Sequence, residues 1–356
     1  MSASQLQKPR VCIYIPIDTS GESHRHIEEL GCELVLGDTS WRTGIDRDAL
    51  VEIATGAHAL MGATIKRLPI ERSFLEAIPE LRIISKYSIG VEDIDLKAAT
   101  DLGVLVTNCP TEANWGGVAE GTIALMLAFL KRVGDRDRHV KDGGWRDKSL
   151  LGTYFGRRED GYAGITVGIV GLGRIGSRVA NLLAPWGLRL LACDPYVDKD
   201  KFEKHGAEQV DLETLLAESD VVTLHCDLTS ETRELVNKDR LALMKTSALL
   251  INTSRGPVVD IDALCDALDG NALGGAALDV LPQEPPDTDD RIRRMGDRVL
   301  LSPHMVSANV PGTLEPAIPW ATEATVAALK GVVPDHVCNS DAIPLWLERF
   351  GNKSLI

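Results

Sequence analysis

Thr166-Val167-Gly168-Ile169-Val170 runs directly into Gly171-Leu172-Gly173-Arg174-Ile175-Gly176, and this stretch decides the fold. The first five residues are short, apolar and partly β-branched, as expected of a strand covered on both faces. Behind the glycines a helical pattern opens, Arg174 to Leu183. A lone G-x-G-x-x-G is weak in a chain with 32 glycines. Between a strand and a helix it becomes the turn of a dinucleotide-binding βαβ unit. The first glycine permits the tight turn. The second lets a pyrophosphate approach the backbone, and the third lets helix and strand pack closely. Free N–H groups at the helix start favour an anion. The next strand, Leu188 to Cys193, ends in Asp194. A carboxylate there can accept both adenosine ribose hydroxyls and would repel a 2′-phosphate. The expected cofactor is therefore NAD rather than NADP.

Outward from this unit, short apolar runs alternate with helical patterns in both directions. Val11–Ile17, Leu34–Leu36, Ala59–Met61, Arg82–Ser85 and Val104–Val106 read as strands, with Ser23–Leu30 and Asp46–Ala54 among the helices between them. A second series reads Thr166–Val170, Arg189–Cys193, Val221–Leu224, Leu249–Asn252, Ala276–Val280 and Val299–Leu301. Such alternation implies an α/β fold with parallel sheets and helical crossovers. At 356 residues the chain is long enough for two domains. Thr111–Val133 reads as one long helix containing Gly116, Gly117 and Gly121. The polar Gly134–Gly164 stretch after it reads as an arm, an oligomer contact or a surface loop. From Thr313 a helix runs to about Gly331, and a last one lies near Leu345–Phe350.

Composition narrows the function. A net charge of −14 without a basic block argues against a nucleic-acid binder, whose affinity comes from Lys and Arg on phosphates. An anionic substrate must then be held by specific groups rather than by the general field. The seven cysteines form no C-x-x-C pair, which suits reduced thiols in a cytoplasmic protein. Met1–Arg10 has no apolar core of a signal peptide. The longest apolar run, Ile123–Leu130, is far short of a membrane span, so no membrane partner is expected. No H-x-x-H or clustered-acid signature points to a metal.

Three strands of the second series end in polar residues. Leu249–Asn252 leads to Thr253-Ser254-Arg255-Gly256, Ala276–Val280 to Glu284, and Val299–Leu301 to Ser302-Pro303-His304. In a parallel sheet these ends share one edge with the glycine loop, where open α/β sheets bind ligands. Histidine can take or give a proton near neutral pH. Glu284 beside it would orient the ring and steady its charge. Arg255 can pair bidentately with a carboxylate. Those types suit hydride transfer at C2 of a 2-hydroxy or 2-keto acid. Singly, each is an ordinary surface residue; their joint occurrence behind the glycine loop carries the reading.

At this point the chain resembles the D-isomer-specific 2-hydroxyacid dehydrogenases, the group of glycerate, phosphoglycerate, D-lactate, formate and phosphite dehydrogenases. The likeness rests on Ser88-Ile89-Gly90-Val91-Glu92-Asp93-Ile94-Asp95, Val118-Ala119-Glu120, the glycine loop, Asn252-Thr253-Ser254-Arg255-Gly256, Ala277-Leu278-Asp279-Val280 with Glu284-Pro285, and Ser302-Pro303-His304. It implies two Rossmann-like, doubly wound domains. The substrate domain would be discontinuous, 1–110 with 310–356, around an NAD-binding domain at 111–309. Hinges would lie near Pro110 and past His304, with closure over the substrate. Arg255, Glu284 and His304 would be the catalytic residues. Gly171, Gly173, Arg174, Ile175, Gly176, Asp194, His225, Thr253, Arg255, Asp279 and His304 would meet the cofactor, Asp279 at the nicotinamide carboxamide. Main-chain groups of Ser88, Ile89 and Gly90, with Arg255, would hold the substrate. A homodimer joined through the cofactor domain would use Thr111–Val133 and the arm.

Some positions depart from the family pattern. After Met61-Gly62-Ala63-Thr64 the usual arginine is missing; Lys66 or Arg67 could substitute, though solvation suits both better. Tyr87 makes the substrate loop bulkier, either as packing or by shaping the pocket. Asp227, after His225, stands where proline is common, so the adenine edge differs. Trp115, Trp145 and Trp320 could line a pocket, but core or interface packing suits each better. Formate or phosphite oxidation in the same fold, and an NAD-sensing corepressor without catalysis, are the competing readings.

Overall fold

A computed structural model describes residues 8–38, 47–64, 69–310, 312 and 314–356. Met1–Arg10 up to residue 7, Asp46, Lys66, Arg67 and Thr313 lie outside the described residues. The chain forms two units, Met1–Asn114 with Val310–Ile356, and Trp115–Asn309.

The first unit holds strands β1 (Arg10–Ile13), β2 (Glu33–Leu36), β3 (Ala59–Gly62), β4 (Ile83–Lys86) and β5 (Leu105–Thr107). They form a parallel sheet in the order β2-β1-β3-β4-β5. Because strand side chains alternate, each strand feeds two cores. Cys12, Leu60, Ile84 and Val106 face one cluster, and Val11, Ile13, Met61, Ile83 and Leu105 the other. The second cluster is closed by the C-terminal helices Ile318–Leu329 and Ile343–Phe350, through Ala321, Ala328 and Trp346. Buried Arg82 ties this return down by donating to the carbonyls of Ala328, Leu329 and Lys353.

The second unit holds β6 (Thr166–Val170), β7 (Arg189–Cys193), β8 (Glu208–Gln209), β9 (Val221–Leu224), β10 (Leu249–Asn252), β11 (Gly275–Leu278) and β12 (Val299–Leu301). Their parallel order is β12-β11-β10-β9-β6-β7-β8. The sheet is wound both ways from β6 and β9, so the topological switch point lies there. Acidic caps start several crossover helices: Asp211 accepts from Thr214 N and Asp260 from Ala263 N. Two parallel-sheet α/β domains are thus the architecture, as the strand pattern implied.

The differences are local. β1 ends at Ile13 rather than Ile17, and β11 at Leu278 rather than Val280. β8 went unread because Glu208-Gln209 is a polar edge pair, both exposed. The long helix is shorter than Thr111–Val133: it spans Glu112–Leu130. Arg132 then turns the chain at φ 53°, and a second helix, Val133–Lys141, occupies the start of the stretch expected to be irregular. No residue of that helix is buried. Exposed pairs Lys141–Asp137 and Arg138–Asp135 support it at helical spacing. By length and composition alone Glu112–Leu130 could cross a membrane, which the shorter run Ile123–Leu130 did not suggest. Its buried face, including Gly116, Gly117 and Thr122, packs into the chain.

Leu250 is fully buried in β10, an inner strand of the second sheet. Leu250→Ala is expected to cost about 2–5 kcal/mol, read as a lowered thermal unfolding midpoint; an unchanged midpoint would contradict this packing.

Candidate functional site

Six neighbouring strands of the second unit deliver a polar or glycine-bearing turn to one sheet edge. In spatial order β12 leads to His304, β11 to Asp279 and Glu284, β10 to Thr253 and Arg255, β9 to His225, β6 to the glycine loop, and β7 to Asp194. At about 4.8 Å per strand the row extends roughly 24 Å, a length suited to an extended dinucleotide.

The glycines divide the labour as their spacing suggested. Gly171 has φ 91°, and a Cβ there would lie 2.8 Å from the Cys226 backbone nitrogen. A Cβ on Gly176 would lie 2.0 Å from the Gly171 carbonyl oxygen. Beside Gly173, by contrast, a Cβ would meet nothing within 4 Å. That opening lies at the start of the Arg174–Leu183 helix, which has no side-chain cap. Backbone N–H groups there are available to a pyrophosphate. Asp194 is drawn into the loop: its Oδ2 accepts from Leu172 N at 2.7 Å and its Oδ1 from Tyr196 N at 3.0 Å. A carboxylate has further lone pairs, so ribose hydroxyls can still be accepted. These features fit NAD.

His225 lies against the glycine loop, its carbonyl 2.9 Å from where a Gly171 Cβ would be. Its Nε2 meets Thr223 Oγ1 at 3.0 Å, while its buried Nδ1 has no partner among the described residues. Desolvation pushes this imidazole down to about 3, so it stays neutral. Thr253 meets Thr122 Oγ1 at 2.9 Å, tying the β10 turn to the Glu112–Leu130 helix.

The structure brings Glu284 and His304 together. His304 Nδ1 lies 2.7 Å from Glu284 Oε2, and Glu284 Oε1 accepts from Leu281 N at 3.1 Å. Arg255 stands one strand further along, its Nη1 donating to the Ser254 carbonyl at 2.8 Å.

Three supports went unrecognised in the sequence. Buried Asn252 accepts from Ser254 N and Oγ and donates to the Arg255 carbonyl, which shapes the arginine turn. An amide ending an apolar strand was the available signal. Gly256 lets two turns touch: a Cβ there would lie 2.0 Å from the Leu281 carbonyl carbon. Asp279, 3% exposed, does more than face a ligand. Its carbonyl accepts from His304 N, and its carboxylate from Met305 N and Val306 N. His304 is held there at φ 55°, a conformation uncommon for a non-glycine residue. The glycines of the long helix serve the same segment, since a Cβ on Gly121 would overlap Val306 and one on Gly117 would crowd Asn309.

In the first unit, residues 88–90 form a loop after β4. The Ser88 carbonyl accepts from Cys109 N, that of Ile89 from Asn108 Nδ2, and that of Gly90 from Ser88 Oγ. The N–H groups of Ser88, Ile89 and Gly90 have no partner among the described residues. Thr64 Oγ1 meets Ser88 Oγ at 3.0 Å. Tyr87 is buried in the unit's core, in keeping with packing. Trp145 is 74% exposed and therefore not core, and Trp320 stacks on His336 at 4.9 Å.

Residues 123–306 match the model of the D-isomer specific 2-hydroxyacid dehydrogenase NAD binding domain. A glyoxylate reductase of Korarchaeum cryptofilum is 39% identical over 307 residues, 84% of this chain and 84% of its own. A D-3-phosphoglycerate dehydrogenase of Synechocystis is 33% identical over 83% of this chain; the chain spans about half of that relative, 52%. The crystal structure of a D-lactate dehydrogenase from Aquifex aeolicus, complexed with NAD and lactic acid, superposes with TM-score 0.75 at 28% identity. It covers 94% of this chain and 97% of its own.

The glycine geometry makes two opposite expectations. Gly173→Ala should fold normally but weaken NADH binding by about tenfold or more, roughly 1.4 kcal/mol, in a fluorescence titration. Gly176→Ala should lower the thermal midpoint, because its methyl meets backbone. Equal stability and equal NADH affinity for the two variants would refute the assignment.

Proposed function

The chain belongs to the D-isomer-specific 2-hydroxyacid dehydrogenase family, and on that premise we propose that it is an NAD-dependent 2-keto acid reductase or 2-hydroxyacid dehydrogenase acting on a small acid. The observation that carries the reading is the 2.7 Å pair of His304 and Glu284 at the end of adjacent strands, with Arg255 on the next.

Gly171, Gly173, Arg174, Ile175, Gly176, Asp194, His225, Thr253 and Asp279 would hold NAD(H), which supplies or accepts the hydride at nicotinamide C4. Glu284 fixes the His304 ring through Nδ1, which leaves Nε2 to serve the substrate. In reduction, His304 Nε2 delivers the proton that the C2 oxygen takes up as the carbonyl becomes a hydroxyl. In oxidation the same nitrogen, unprotonated, accepts the hydroxyl proton. Arg255 pairs with the substrate carboxylate and polarises the C2 oxygen. The unpaired N–H groups of Ser88, Ile89 and Gly90 supply further donors for that carboxylate.

We also infer a homodimer. The partly exposed apolar helix Glu112–Leu130 supports it, as do the exposed Val133, Val140, Trp145, Leu151 and Tyr154 beyond. The seven free cysteines suit the cytoplasm.

NADH oxidation is expected with glyoxylate, hydroxypyruvate or another small 2-keto acid, followed by absorbance. His304→Gln should lower kcat by about 10²–10⁴-fold with NADH binding retained. No turnover across a broad 2-keto acid panel would overturn the proposal; oxidation of formate or phosphite instead would redirect it. Light scattering should give twice the chain mass.

A further inference from the structure

Lys86 and Asp93 bracket the 88–90 loop. Lys86 is the last residue of β4, and its ammonium is fully buried. It lies 2.5 Å from Asp93 Oδ2, whose side chain is 4% exposed, and donates to the Ala63 carbonyl at 3.0 Å. Ala63 precedes Thr64, whose hydroxyl meets Ser88. The lysine thus joins three things: the end of β4, the turn after β3, and the far side of the loop.

A buried ion pair is a poor source of stability, because desolving two charges offsets most of their attraction. Here burial pushes the Lys86 ammonium down and Asp93 pulls it back up. What such a pair does supply is a defined position, since each partner has few places where its charge can be satisfied. The loop it brackets has an unusual requirement for position. All three carbonyls of residues 88–90 are held by the chain, and all three N–H groups are left for something else.

We propose that Lys86 is a positioning residue: with Asp93 it clasps the neck of the 88–90 loop, and so fixes the three N–H groups that receive the substrate carboxylate. The lysine itself does not touch the substrate, being wholly enclosed. The proposal rests on the reading of residues 88–90 given above.

The test separates position from stability. Replacing both partners by apolar residues, K86M/D93L, removes the clasp without leaving a lone buried charge. This double variant should keep a thermal midpoint close to wild type. Its KM for the 2-keto acid should rise about tenfold to a hundredfold, as misplaced binding groups do, while NADH affinity stays unchanged. Amide exchange at Tyr87 and Cys109, whose N–H groups bond Gly62 and Ser88 carbonyls, should quicken. Should the double variant fold poorly, Asp93→Ala and Asp93→Asn decide: the first should raise KM, and the second, which keeps an acceptor for the ammonium, should largely restore it. A wild-type KM in K86M/D93L or Asp93→Ala, or parallel loss of keto-acid and NADH affinity, overturns the clasp. If the wild type reduces no 2-keto acid, the functional reading fails, and the exchange rates still decide the clasp.

Discussion

The parallel direction of the strands in the second unit is the constraint on which its chemistry depends. Antiparallel neighbours would send alternate strand ends to opposite edges. Here every strand arrives at the same one, so His304, Glu284, Arg255, His225, the glycine loop and Asp194 form a row in the order of β12, β11, β10, β9, β6 and β7. That direction requires helical crossovers and two covered faces. The near-continuous apolar strands, buried at every position of β9, β10 and β11, are the sequence's answer to that requirement.

Delivering the chain to one edge does not orient the side chains, and the turns must do that. The polar backbone of a buried turn has to be satisfied, and the groups that satisfy it also aim the functional residue. Asn252 closes the arginine turn on itself. Asp279 collects the N–H groups that follow His304 and, through its carbonyl, the one of His304 itself. Gly256 permits the arginine turn to touch the turn that leads to Glu284. Hydrogen bonding and close approach therefore act together to hold the histidine and arginine in neighbouring places.

This division explains what could be read from the sequence. The strands are periodic and apolar, so Thr166–Val170, Arg189–Cys193, Val221–Leu224, Leu249–Asn252 and Val299–Leu301 were legible to the residue. The glycine loop was legible because its spacing and its flanking elements agree. Asn252 and Gly256 stand in a legible motif, but their work is contact within and between turns, which the motif does not disclose. The glycines of Glu112–Leu130 looked like flaws in a helix. They are where the segment after His304 packs, a fact that depends on residues 117 and 121 meeting residues 306 and 309. Val133–Lys141 was missed because nothing of it is buried; local ion pairs, not an apolar face, hold it. Lys86 carries no signal of its role in the sequence, because lysine is ordinarily a surface residue and only the fold encloses it.

The charge balance gives these arrangements a common logic. A chain of net charge −14 repels anions at long range, yet its family binds a pyrophosphate and a carboxylate. General attraction is unavailable, so the anion sites must be short-range and directional. Backbone N–H groups meet that need, because they carry partial charge without adding a titratable group. The uncapped start of the Arg174–Leu183 helix offers one such set, and residues 88–90 another. N–H donors are only as useful as their geometry is fixed. In the first set close glycine contacts fix it, through Gly176 on Gly171. In the second, every carbonyl is tied down and a buried lysine spans the loop's neck. On the proposal made for Lys86, its cation serves anion recognition indirectly, by shaping a backbone segment whose N–H groups are left open.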